Sequence, residues 1–226
     1  MINWLLLLIL ALSAFLRFYQ LFSLAIFTFD EEHQITMAKT IVNNFHIIWI
    51  GVSASNLGFY LGPFWVYFTA FWLWLSSGDP LITNFVGASL GVITTFVIYY
   101  IASRMFYTKV GLFASLLYGI LPLFVFFDQK YLTPNPVPLL SLLIIFSLYK
   151  SFKSPRWWIF FSLLFGLVFH TSLSIFAYGI LGFYYFFKKR HTIGKRIITL
   201  SILVFILTIS PLIVFDYFHN WSNIST

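Results

Sequence analysis

Every side chain in residues 5–12 is apolar, so a helix there is hydrophobic round its whole circumference. Such a helix has no face to offer water and must be buried in a core or in lipid. Comparable runs of roughly 20 residues, the length that crosses a bilayer, recur along the chain. With 61% hydrophobic and only 8% charged residues among 226, the sequence lacks the polar surface that a soluble fold requires. A transmembrane β-barrel would instead show short segments of alternating polarity. The chain therefore reads as all-α, a polytopic transmembrane helical bundle forming one domain over residues 1–226 and integral to the cytoplasmic membrane of the cell.

Polar and proline-containing breaks divide the apolar sequence into about eight spans. These are expected at 3–26, 63–75, 81–102, 110–127, a run ending near 149, two shorter segments within 157–187 that meet at His170-Thr171-Ser172, and 197–215. The first run has no basic residues ahead of it and no small-residue cleavage site after Ala25, so it is expected to be a retained span. The longest connection, 27–60, carries Ile35, Ala38, Ile41, Val42 and Phe45 on one helical face and Glu32, Thr36, Lys39 and Asn43 on the other. That pattern suits a helix lying flat at the membrane interface.

Cysteine is absent, which excludes disulfides, thiolate metal sites and a cysteine nucleophile. The net charge of +7 comes mainly from short connectors such as Lys188-Lys189-Arg190 and Lys195-Arg196. In a membrane protein these mark topology and anchor to lipid headgroups. No extended basic face or stacking motif points to nucleic acid. No second histidine or carboxylate stands at ligand spacing from His170, so no metal is expected.

Asp30, Glu31 and Glu32 stand side by side, although the whole chain has only six acidic residues. Thr28-Phe29-Asp30-Glu31 fits a capping box, and acids in a first turn favourably meet the helix dipole. Lying just outside a span, the same acids are placed to meet a lipid-borne substrate, and a carboxylate there can act as general base. Elsewhere Arg17 is expected to snorkel to the headgroups, and His170 to be hydrogen-bonded packing. Asp128 and Lys130 are expected to pair across a turn, Asp216 and His219 to mark a span terminus, and the sequons at Asn220 and Asn223 to be chance patterns.

An apolar span, a loop in which Asp-Glu opens an interfacial helix, and Gly58-Phe59-Tyr60-Leu61-Gly62-Pro63 ahead of the next span occur in that order. Lys109-Val110-Gly111-Leu112-Phe113-Ala114, Pro134-Asn135-Pro136 and a closing Ser-Pro-Leu-Ile-Val-Phe-Asp-Tyr-Phe-His-Asn follow. In this order of elements the chain resembles the polytopic glycosyltransferases of the C-type membrane fold, the protein O-mannosyltransferase and aminoarabinose transferase superfamily. The resemblance implies inverting, metal-independent transfer of a sugar from a polyprenyl-phosphate carrier to a lipid, glycan or protein acceptor, with no cofactor. It makes Asp30 the catalytic base and Glu31 the residue that binds or orients the acceptor. Some relatives carry a Glu-Lys pair where this chain has Tyr60-Leu61, so the phosphate's counter-charge falls to His33, Lys39 or Lys130. Tyr60, Asn135 and His170 are further substrate-binding candidates. Family members are longer, which suggests a fragment or a minimal form. The alternative is a transporter or lipid-linked-sugar flippase with a midplane site at His170-Thr171-Ser172.

Two expectations conflict. With eight spans and a cytoplasmic N-terminus, the acidic loop is extracytoplasmic, as the resemblance requires. The basic connectors near 104–109, 150–156 and 188–196 then fall on that same side, against the rule that Lys and Arg stay inside.

Overall fold

The computed structural model describes residues 4–23, 25, 27–54, 58–223 and 225. Among them are ten α-helices: α1 (Trp4–Phe18), α2 (Phe29–Asn44), α3 (Phe64–Leu75), α4 (Leu81–Met105), α5 (Thr108–Ile120), α6 (Pro122–Asp128), α7 (Val137–Ser151), α8 (Trp157–Val168), α9 (Ala177–Lys189) and α10 (Lys195–Phe218). A lone antiparallel bridge joins Ser53 to Tyr60. Pro63, Pro80 and Pro136 each stand immediately before a helix, where a fixed φ suits a first turn and a missing N–H costs nothing. The ends expected for the first span, Asn3 and Ile26, lie outside the described residues. By length and composition α4 and α10 are long enough to cross a membrane alone, and α5 with α6, bent by 64°, makes a third candidate. Among the described residues these two or three meet the length of a full span, and the other apolar helices are shorter.

Side-chain pairing fixes the direction of each helix. Leu5 and Ile9 of α1 border the same crevice as Lys109 and Leu112 of α5, and Arg17 reaches Tyr118 and Gly119 at the far end. Helices α1 and α5 thus run the same way. Phe18 packs on Phe85 near the start of α4, which runs oppositely. Tyr100 of α4 meets Phe146 of α7, and Phe146 meets Trp157 at the start of α8. Trp158 touches Phe186 of α9, while Phe165 touches Phe205 of α10. In chain order, with α5–α6 counted as one, α4 to α10 alternate in direction, so α4 runs parallel to α7 and α8 to α10.

Helix α3 is the exception. The N–H of Phe64 donates to His170 Nδ1, just past the end of α8. After Leu75, Ser76 and Asp79 lie beside Phe22, past the end of α1. Neither end of α3 approaches the basic connectors, so residues 63–75 lie across one end of the bundle. The expected second span has 12 residues and rises about 18 Å against a hydrocarbon thickness of about 30 Å, so by length it is not among the candidate spans.

Removing that one crossing moves every later connector to the other side. Of the 13 Lys and Arg, all but Arg17, Lys39 and Lys130 gather at the connectors of one end, and all six acidic residues stand toward the opposite end. Counted that way, the acidic loop and the basic connectors fall on opposite sides, as the charge rule asks. The apolar face of helix α2 meets protein. Its Ile35 and Ala38 pack on Val66, Ala70 and Leu73 of α3, so α3 covers the apolar face, while Phe45 is exposed.

Arg17, expected to reach the headgroups, is fully buried. Its guanidinium pairs with Asp128 Oδ2, with Nη2 at 2.8 Å and Nε donating at 2.9 Å. Its other N–H groups donate to Ser13 Oγ, Gly119 O and Tyr118 O. Those two carbonyls are released where Pro122 interrupts α5, because proline brings no N–H to Tyr118 O and the chain bends away from Gly119 O. One arginine therefore caps a helix break in a setting without water and neutralises the carboxylate at the end of α6. Gly91 makes room for the pair, since a Cβ there would run into both Asp128 and Arg17. Asp128 is thus not the local partner of Lys130. Arg17→Leu is expected to destabilise the protein by about 3–5 kcal/mol by leaving Asp128 buried and unpaired. The double variant Arg17→Leu/Asp128→Leu should recover much of that loss, as read by unfolding in detergent.

Candidate active site

The acidic cluster opens α2, and its members face different ways. Glu31 is 1% exposed. Its Oε2 accepts from the Thr28 N–H at 2.7 Å and the Thr28 hydroxyl at 3.0 Å, and its Oε1 accepts from the Tyr131 N–H at 2.8 Å. The capping box is therefore real, and it also ties the start of α2 to the loop after α6. Asp30 and Glu32 are exposed. The Asp30 carboxylate makes no hydrogen bond to the described residues, while the helix turn that carries it is fixed by Glu31.

A second polar layer backs Glu31. One turn along, Gln34 is also 1% exposed; its amide donates to Thr69 Oγ1 at 2.8 Å and its carbonyl accepts from the Thr133 hydroxyl at 3.0 Å. Thr69 and the Tyr131 hydroxyl lie 3.2 Å apart. Burial raises the pKa of the Tyr131 phenol well above its ordinary value, so it stays a neutral hydrogen-bonding group. Its ring stacks on Trp65. Helix α2, helix α3 and the 129–136 loop are thus joined by one network beneath Asp30.

The structure brings some of the candidates together and separates others. His33 is exposed one turn from Asp30, stacked on Phe29. Lys39, nine residues on, lies half a turn round the helix and points away from Asp30. Lys130 precedes the residue that holds Glu31, with its ammonium over the Phe126 ring. The Asn135 amide donates to the Lys130 carbonyl at 2.6 Å, which closes that loop.

Tyr60 and His170 belong to a different cluster. Asn223 is buried and grips both backbone groups of Tyr60, so this sequon asparagine is a structural clamp. Its own N–H donates to the buried Asp216. His170 accepts from Phe64 N–H at Nδ1, so Nε2 carries the proton that goes to Thr208 O at 2.8 Å. Gly62 lies against the imidazole so closely that a Cβ would run into the ring. With both nitrogens engaged in packing, nothing in this cluster favours a transport site. Among the described residues no group of histidines and acids is arranged to hold a metal.

Gln34, Thr69, Tyr131 and Thr133 were not singled out from the sequence. A signal was present: Glu31 and Gln34 share the helical face of Ile35 and Ala38, so polar groups on the apolar side of α2 required buried partners. Glu31→Gln would turn an amide N–H toward donors that now meet a carboxylate. We expect about 1–3 kcal/mol lost and faster hydrogen exchange in the first turn of α2 and at Tyr131, while Glu32→Gln leaves both unchanged.

No curated protein and no solved structure matches the chain. Residues 61–215 match the dolichyl-phosphate-mannose-protein mannosyltransferase family. That range includes Lys130, Asn135 and His170 and begins after the acidic loop. It spans more than half of the sequence, so this integral membrane protein belongs to the dolichyl-phosphate-mannose-protein mannosyltransferase family of glycosyltransferases.

Proposed function

We propose that this chain moves a sugar from a polyprenyl-phosphate carrier to an acceptor at the outer face of the cytoplasmic membrane, with Asp30 as general base. The observation that carries this reading is an open carboxylate on a fixed support: Asp30 is exposed, and Glu31 beside it is locked by three hydrogen bonds. Family membership supplies the reaction class.

In the proposed step the acceptor O–H gives its proton to Asp30 as its oxygen attacks the anomeric carbon. The bond from that carbon to the carrier's phosphate oxygen breaks, and polyprenyl phosphate leaves with the bonding pair. Attack opposite the leaving group inverts the anomeric centre. Negative charge grows on the phosphate, and a cation there lowers the barrier. Lys130 is better placed for this than Lys39, because it adjoins the loop that touches Glu31. His33, one turn from Asp30, is within reach of the same substrate. Glu31 has both oxygens occupied, so its part is to position Asp30 and the 129–136 loop.

The segregation of charge supports an outward-facing site. We read α1, α4, the α5–α6 pair, α7 and α10 as passes through the membrane, with α2 and α3 layered on the outer face. Helices α8 and α9 begin and end at the basic end, so the connectors keep their sides whether that pair is two short spans or a hairpin turning at depth.

Two experiments test this. Asp30→Asn in reconstituted protein should lower transfer from a radiolabelled polyprenyl-phosphate sugar about 10²–10⁴-fold, with no change in thermal midpoint, since Asp30 supports no described contact. Undiminished transfer would remove Asp30 as the base. Because the chain has no cysteine, single cysteines report topology directly. Asn43→Cys and Ser77→Cys should react with an impermeant maleimide on intact cells, and Thr192→Cys only after permeabilisation. Labelling of Ser77→Cys only after permeabilisation would restore α3 as a span.

A further inference from the structure

At the basic end, far from the acidic loop, a cavity of about 230 Å³ opens between α8, α9 and α10. Helices α9 and α10 are joined by a short connector, yet α10 packs mainly on α8 and α9 stands off from it. The gap is lined by aromatic and aliphatic side chains, among them Trp158, Phe161, Phe186, Ile198 and Phe205. One wall differs. Ser201 lines the cavity and is 7% exposed, and its buried hydroxyl has no hydrogen-bond partner among the described residues. Thr94, Ser147 and Thr208 bond back to a carbonyl of the preceding turn, whereas Ser201, like Ser103 of α4, does not. A buried hydroxyl left open is costly unless something in the cavity accepts from it.

Basic residues flank this cavity along the chain. Ile193 and Ile198 line it, and between and around them stand Lys188, Lys189, Arg190, Lys195 and Arg196. No acidic residue lies at this end of the bundle. Lys195 and Arg196 also occupy the first turn of α10, where the helix dipole already presents positive charge and free N–H groups. Gly194 before them offers no side-chain cap. Among the described residues no acidic group pairs with this cluster, so its complement is taken to be an anion from outside. From Lys195 to Ser201 the helix rises about 9 Å, which takes a ligand from the basic residues into the apolar gap.

We propose that this is a binding site for an anionic phospholipid of the leaflet that meets the basic end. Its phosphate sits among Lys188, Arg190, Lys195 and Arg196 at the start of α10. An ester carbonyl accepts from the Ser201 hydroxyl, and part of one acyl chain fills the cavity against Trp158. The proposal requires only that the chain sits in a bilayer and is independent of the assignment of Asp30.

Trp158 supplies the readout, because bromine on an acyl chain quenches an indole that it touches. The full chain would be placed in phosphatidylcholine nanodiscs containing increasing fractions of either brominated phosphatidylglycerol or brominated phosphatidylcholine, with Trp158→Phe measured in parallel to isolate the signal of that residue. The brominated anionic lipid should half-quench Trp158 at about a tenfold lower mole fraction, as expected when several basic side chains each favour an anionic headgroup. Lys195→Gln/Arg196→Gln should bring the two lipids close together, and Ser201→Leu, which fills the gap, should protect Trp158 from both. Equal quenching of the unmodified protein by the two lipids, or a preference that survives Lys195→Gln/Arg196→Gln, would overturn the site. The comparison on the unmodified chain decides the matter even if a variant fails to fold.

Discussion

The arrangement of this bundle depends on one buried arginine. Arg17 closes the break between α5 and α6, holds Asp128 at the far side of that break, and rests against the bare backbone of α4 at Gly91. In lipid an open carbonyl has no water to turn to, so the bend at Pro122 is tolerable only where another element brings donors. The bend in turn redirects α6 by 64° and starts the 129–136 loop where Glu31 can accept from Tyr131. The candidate site thus rests on a contact between residues more than a hundred positions apart.

How much of this could be read in advance follows from the range of each interaction. Helix boundaries at Pro63, Pro80 and Pro136 were legible because proline acts on its own neighbours. The capping box at Thr28 and Glu31 was legible for the same reason. The lie of helix α3 was not legible because its apolar composition matches a span and only its neighbours at both ends show that both ends stand at one end of the bundle. Arg17 was misread because a lone arginine near a span end usually does reach the headgroups, and its partner is 111 residues away. The grip of Asn223 on Tyr60 has the same non-local character.

Within the acidic loop, burial divides neighbours that look alike in one dimension. Glu31 and Asp30 are adjacent, yet a rotation of about 100° per residue sends one into the seam between α2 and the 129–136 loop and leaves the other facing solvent. Capping and chemistry therefore coexist in one turn: Glu31 holds the turn in place, and Asp30 is the carboxylate left over. The same rotation separates His33, which shares Asp30's side of the helix, from Lys39, which does not.

The separation of charge along the bundle has an electrical consequence. With acidic groups at one end and most basic groups at the other, the protein is a dipole lying along its own membrane axis. A potential that is negative inside acts on an elementary charge carried across the bilayer with about 2.3 kcal/mol per 100 mV. In the proposed orientation that field draws the basic connectors inward and pushes the acidic loop outward, so an energised membrane works against inverted insertion.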